Sequence, residues 1–426
     1  MKQLFRHKDI LTLAVLSALI ILLLLIFLSL RNGAPLRDER NFNIPTAVNF
    51  YQNSIPDAIK GAGYVIGSTP LPFVLLKILT LGSYPNIYVY RFISFLFSVS
   101  SVLLLLILLN KSSPGKEAFF ISGLVLFQPY FLKSALSFYT AAYGVLFLIL
   151  FLLIYLKQER SKTNHLLLGI VSSAAILCQQ IYLALPLVYL LIVAYEVYKT
   201  RKFNKLYDHL LFCLPHIFPL ILFIIWGGFT HDQPRNGIIL NSASFSELIG
   251  NIIPVRNFTA ILTIAGFYLL PASIYLFRKV KWYYILSFLF ISVLLAVFNQ
   301  PVFTNSPEFN KVTGLVHRVI CNASYYYHPL LGEILRVASL LSFLIFFYLM
   351  IKESKSSFSY FLNLLIIILL ILYCFDFLLS ERHLIPLIVV LFVTLTRFKI
   401  VDIYYYGWFF FMLIMGCSYT LHWFNI

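Results

Sequence analysis

Two adjacent carboxylates, Asp38 and Glu39, follow the first long apolar stretch of the chain and open a segment that is otherwise mostly apolar and basic. Acids are scarce, with 16 Asp and Glu against 32 Lys and Arg in 426 residues, so such a pair at a membrane surface is unusual. A carboxylate placed there can act as a general base toward a hydroxyl, and Asp38 is the preferred base. The plain alternative is a solvated pair beside Arg37 and Arg40, whose exposed ion pairs contribute little. Arg382 offers a two-pronged contact for phosphate, or else it snorkels at a helix start beside Glu381. His383 beside it is a further candidate, although a lone interfacial histidine is more often structural. His317, Arg318, His231, Asp232 and Arg235 are further polar candidates for donor or acceptor contacts.

Composition dictates the elements that must position these groups. Hydrophobic residues make up 61% of the chain and charged residues 11%, outside the range of soluble domains. A helix needs about 20 apolar residues to cross roughly 30 Å of hydrocarbon, and stretches of that kind recur from end to end. The expectation is an all-α polytopic membrane protein, with Ile10–Leu30 as a retained signal anchor behind Lys2, Arg6 and Lys8.

The formal net charge of +16 would suggest nucleic acid in a soluble protein. Here its distribution excludes that partner, because Lys/Arg clusters recur at alternate loops: Lys111/Lys116, Lys157/Arg160/Lys162, Lys199/Arg201/Lys202/Lys205, Arg278/Lys279/Lys281, Lys352/Lys355 and Arg397/Lys399. Short basic loops stay in the cytoplasm, where they also meet anionic lipid. The five cysteines have no metal-ligand or disulfide spacing, so neither a metal site nor a disulfide framework is expected.

With that face fixed, the expected crossings are Ile10–Leu30, Ile87–Leu109, Ala118–Leu132, Phe138–Leu156, His165–Gln179, Ile181–Tyr198, His209–Gly227, Phe258–Phe277, Trp282–Phe298, Leu331–Ile351, Phe358–Leu379, Leu384–Thr396 and Val401–Leu421, about thirteen in all. His165–Tyr198 reads as a tight hairpin turning near Gln179-Gln180 or as a re-entrant pair. Residues 1–426 form one integral membrane domain in this reading, with long outer segments at 31–86, 230–257 and 299–329. The first contains a Gly/Pro-rich run and the apolar Phe73–Leu81, short enough to lie along the interface. Tyr325–Tyr327 could stack on sugar rings, though an interfacial aromatic belt explains them as well.

No phosphate-binding glycine loop is present, and an outward-facing enzyme meets no nucleotide-activated substrate. Its donor must come from the membrane, as a sugar on a polyprenyl phosphate does. The leaving group is then a stable phosphate anion, so one carboxylate to deprotonate the acceptor plus cations to hold the phosphate is a sufficient set. No dense carboxylate cluster demands a divalent cation, and its participation stays open.

A first outer loop opening on Asp-Glu resembles the GT-C class of integral membrane glycosyltransferases, and within it the dolichyl-phosphate-glucose α-1,2-glucosyltransferases. Phe42-Asn43-Ile44-Pro45-Thr46-Ala47, Ser68-Thr69-Pro70-Leu71-Pro72, Gln128-Pro129 and Phe138-Tyr139-Thr140 are similar to that family's motifs. Glu381-Arg382-His383-Leu384-Ile385-Pro386 is similar to a late-helix motif of bacterial GT-C enzymes. Two departures, Ala141 where the family has Asp and Cys178-Gln179-Gln180-Ile181 where it has Arg-Gln-Thr-Asn, weigh against that family's glucose specificity and acceptor and leave the GT-C class standing. The resemblance implies a hexosyltransferase of the bacterial inner membrane, acting outward on lipid-linked or protein acceptors in glycan and cell-envelope synthesis. A lipid-linked glycan flippase or transporter, and an outer-face polymerase or ligase, are the alternatives. The concentration of acids at the outer surface and the lack of a repeat favour the enzyme over the transporter.

Overall fold

The computed structural model describes residues 24, 27–28, 35–36, 38–61, 63–66, 68–83, 86–112, 116–157, 161–201, 206–228, 253–298, 315–374, 381–398, 400 and 402–423. Every regular element among them is helical. A π-helical turn, Glu39–Asn43, leads into α1 (Ile44–Gln52), α2 (Ile55–Lys60), α3 (Leu71–Leu79), α4 (Ile87–Ser112), α5 (Lys116–Leu126), α6 (Pro129–Leu136), α7 (Ala141–Leu156), α8 (Lys162–Ile176), α9 (Ala184–Thr200), α10 (Leu206–Cys213) and α11 (Ile217–Trp226). There follow α12 (Ile253–Leu276), α13 (Trp282–Phe298), α14 (Leu315–Asn322), α15 (Pro329–Lys352), α16 (Ser357–Cys374), α17 (Ile385–Leu395) and α18 (Asp402–Trp423).

Six helical stretches among the described residues are long and apolar enough to cross a membrane: Ile87–Lys111, Gln180–Thr200, His209–Trp226, Asn257–Lys279, Pro329–Lys352 and Ser357–Cys374. The pair α5 and α6 qualifies only as one broken span, which would make seven. The expected thirteen crossings are therefore not confirmed. Ala118–Leu132 is interrupted because Pro129 starts a new helix and cannot continue the old one. At 1.5 Å per residue the 16 residues of α7 reach about 24 Å, short of the hydrocarbon thickness. Most of Ile10–Leu30 lies outside the described residues. The chain turns between α8 and α9 at Leu177–Gln179, where Gln179 is extended, close to the turn expected at Gln179-Gln180.

The described helices fall into two compact units. The first comprises Met1–Lys111, Phe131–Ser242 and Thr420–Ile426. Its core is aromatic: Phe50 stacks on Phe73 at 5.8 Å, Tyr64 lies 5.3 Å from Trp226, and Phe138 meets both Phe73 and Tyr90. The Gly/Pro-rich run is packed into this core. The Tyr64 hydroxyl donates to the Ser68 carbonyl at 2.6 Å, Thr69 Oγ1 to Ile176 at 2.7 Å, and the Leu71 amide to Leu177 at 2.8 Å. Gly63 is required by close approach, since a Cβ there would stand 2.8 Å from Asn49 Oδ1. Helix α3 covers most of the stretch expected to lie along the interface, and its Phe73 and Leu76 are buried in the core.

The second unit comprises Ser112–Tyr130 and Ala243–Tyr419. Its centre is the packing of α12 on α15, where a Cβ on Gly266 would come within 1.9 Å of the Ser339 carbonyl oxygen. Only glycine lets the two backbones approach so closely, as is common where helices associate in lipid. Asn257 Nδ2 donates to the Cys374 carbonyl at 3.0 Å and ties α12 to α16. Phe120 of α5 and Phe127 just after it pack against Tyr405 and Phe409 of α18.

Candidate active site in the first unit

The two acids of the Asp-Glu pair have different surroundings. Just after Asp38 the chain enters the π-helical turn, closed by the Ile44 amide donating to the Glu39 carbonyl five residues back. Single π turns of this kind are frequent at functional sites. Glu39 is completely buried, and both its oxygens are engaged. Oε1 accepts from Arg91 Nε at 2.9 Å and from the Phe138 amide at 2.7 Å. Oε2 accepts from Arg91 Nη2 at 2.6 Å and from the Leu36 amide at 2.7 Å. Arg91, on the first turns of α4, is itself fully buried, so the pair is a bidentate ion pair out of water. Removing one partner of such a pair costs about 3–5 kcal/mol, because the other charge is left uncompensated.

The Glu39 contacts pin the turn to the corner between α6 and α7. Asn43 reinforces this by donating through Nδ2 to the Phe138 carbonyl at 2.7 Å, so one residue of that corner is held through both its amide and its carbonyl. Tyr139, next along, donates its hydroxyl to Asp38 Oδ2 at 3.1 Å. Lys133 Nζ, from α6, stands 4.0 Å from the same oxygen and 5.7 Å from the centre of the Tyr139 ring. Asp38 keeps 21% of its side-chain surface exposed, against none for Glu39. The buried acid is thus consumed in holding the turn, while its neighbour reaches the surface beside a hydroxyl and an ammonium group. A carboxylate so placed can take a proton from an incoming hydroxyl, and a cation beside it can receive a departing anion.

The other residues singled out in the sequence are described only in part. Arg382 and His383 belong to the 3-10 turn Glu381–Leu384 before α17. The Arg382 side chain is outside the described residues, while the His383 carbonyl accepts from the Tyr373 hydroxyl. Arg318 is exposed on α14, and the His317 side chain on that helix is outside the described residues. His231, Asp232 and Arg235 also lie outside them.

Three participants were not singled out from the sequence as site residues: Arg91, Lys133 and Tyr139. Lys133 carried a signal, being the only charged residue between Glu117 and Lys157. Arg91 carried one too, as a cation in the fifth position of a long apolar helix. Ionisable groups in such surroundings are costly and point to a partner or a site.

No protein-family model matches the chain, and no curated protein matches it. Among solved structures, the crystal structure of ArnT from Cupriavidus metallidurans in the apo state is similar at 12% identity, covering 95% of this chain and 78% of that one, with a TM-score of 0.37. Likeness at that level carries no argument for the fold or the activity.

Proposed function

We propose that this protein is a membrane glycosyltransferase of the GT-C type, moving a sugar from a polyprenyl phosphate to an acceptor on the non-cytoplasmic face, with Asp38 as general base. The supporting observation is the division of labour between the two acids: Glu39 is saturated by Arg91 and two backbone amides, while Asp38 is partly open and adjoins Tyr139 and Lys133. In the proposed step Asp38 takes the proton of the acceptor hydroxyl, and that oxygen bonds to the anomeric carbon of the donor. The carbon–oxygen bond to the phosphate breaks, and its electron pair leaves on the polyprenyl phosphate. Lys133, 4.0 Å from Asp38, is assigned to the phosphate as its charge grows. Tyr139 orients the base, and Glu39 with Arg91 holds the turn that carries it. The apolar helices supply a donor already dissolved in the bilayer.

The test uses the purified full chain in liposomes loaded with undecaprenyl phosphate bearing a labelled hexose and with a lipid extract as the source of acceptor hydroxyls, run as a panel of sugars, with release of free lipid phosphate as the readout. Wild-type protein is expected to release it with at least one sugar. Asp38→Asn is expected to fold and bind the lipid while turnover falls by about 10²–10⁴-fold, the usual contribution of a positioned base. Wild-type turnover by Asp38→Asn would remove the base, and no release with any sugar would remove the donor class.

A further inference from the structure

We propose that one end of the second unit carries a binding site for anionic phospholipid headgroups, formed by Arg278, Lys279, Lys281 and Lys352 over a floor of tyrosine rings. The spans Asn257–Lys279 and Pro329–Lys352 each finish on a lysine. The first ends in a 3-10 turn, Phe277–Lys279, and the buried, extended Val280 follows it before α13. Each cation lies over a ring. The Arg278 guanidinium is 5.9 Å from Tyr404, Lys279 Nζ 5.1 Å from Tyr275, Lys281 Nζ 5.8 Å from Tyr283, and Lys352 Nζ 5.8 Å from Tyr348. Tyr284 joins the two helix ends, 4.4 Å from Tyr283 and 5.1 Å from Tyr348.

Charge complementarity identifies the occupant. Arg278, Lys281 and Lys352 are exposed, and among the described residues none of the four cations pairs with a carboxylate. Clustered like charges without counter-charges repel, and the cluster gains from an anion brought to it. The place where apolar spans end on Lys, Arg and Tyr is the depth of lipid phosphates, where ring and ammonium are both well solvated. A charge signal for membrane orientation needs only a basic loop. This patch also draws Lys352 from another helix, 71 residues beyond Lys281 in the sequence, and seats each charge on a ring. The site is independent of the proposed catalysis and of which side of the membrane it faces.

The experiment needs no enzymatic activity. Purified full chain in a neutral detergent is titrated with phosphatidylglycerol, with phosphatidylcholine or with inorganic phosphate, and its melting temperature is followed. Phosphatidylglycerol is expected to raise the melting temperature saturably, and the other two are not. Each basic group near an anionic lipid surface contributes a factor of about five in binding, so the Arg278→Gln, Lys281→Gln, Lys352→Gln triple variant should need on the order of 100-fold more phosphatidylglycerol. Lys279 is left in place because its Nζ also donates to the Phe398 carbonyl at 2.5 Å. An unchanged half-saturation point in the triple variant would overturn the site, and stabilisation by inorganic phosphate alone would overturn the lipid assignment. Should the triple variant not fold, wild-type protein decides: added salt must weaken the phosphatidylglycerol effect, and a salt-insensitive effect counts against the proposal.

Discussion

The π-helical turn of the first unit and the basic end of the second show two uses of charge in a chain that has little of it. Around Glu39 each charge is answered inside the protein, by Arg91 and by the amides of Leu36 and Phe138, and no surface of the pair is left for water. Around Arg278, Lys281 and Lys352 the charges rest on tyrosine faces and remain exposed. A fully answered buried charge fixes geometry, because any movement breaks several bonds at once. A set of exposed like charges fixes little and is suited to meeting a partner. The two regions should therefore respond to substitution in opposite ways, in stability for the first and in ligand dependence for the second.

The sharpest break of this comparison is Arg91→Ala. It strands the Glu39 carboxylate, and denaturant unfolding of the purified protein should show a loss of about 3–5 kcal/mol. Replacing both partners, Glu39→Leu with Arg91→Leu, should recover part of that loss by removing the uncompensated charge. Recovery stays partial because the Leu36 and Phe138 amides lose their acceptor. If the double variant were as unstable as the single one, the pair would not be acting through charge.

Packing rather than charge holds the centre of the second unit. Gly266→Val drives a side chain into the Ser339 backbone, and an overpacked core of this kind typically costs about 1–3 kcal/mol. Wild-type unfolding by this variant would mean that α12 and α15 are not tightly joined there. A smaller effect is expected at Tyr139→Phe, which removes one hydrogen bond to Asp38 worth about 0.5–1.5 kcal/mol. In the liposome assay that is roughly a threefold to tenfold loss of turnover with the fold intact, and an unchanged rate would take Tyr139 out of the site. The smallest change belongs to Lys281→Gln in lipid-free detergent. Only an exposed contact with the Tyr283 ring is lost, so its unfolding free energy should change by no more than about 1 kcal/mol. A larger loss would make Lys281 a structural residue and blunt the contrast between the regions.

Sequence alone determined the helical, membrane-embedded character of the chain, because hydropathy over some 20 residues is a local property and α4, α12, α15 and α16 each satisfy it within one stretch. It also marked the Asp-Glu pair, since acids in a basic and apolar chain stand out by type alone. Which helices are too short to cross was harder to read: in the Ala118–Leu132 stretch hydropathy runs on across Phe127-Gln128, whereas the backbone breaks there and restarts at Pro129. The roles of the two acids belonged to the tertiary structure. Asp38 and Glu39 are neighbours with the same functional group, and nothing local distinguishes them. Glu39 is set apart by a guanidinium 52 residues away and an amide 99 residues away, and Asp38 by a hydroxyl 101 residues away. Such contacts form only when the aromatic core around Phe50, Phe73 and Phe138 closes and expels water. Burial then makes every unanswered charge costly, and so decides which acid must be paired and which can stay at the surface.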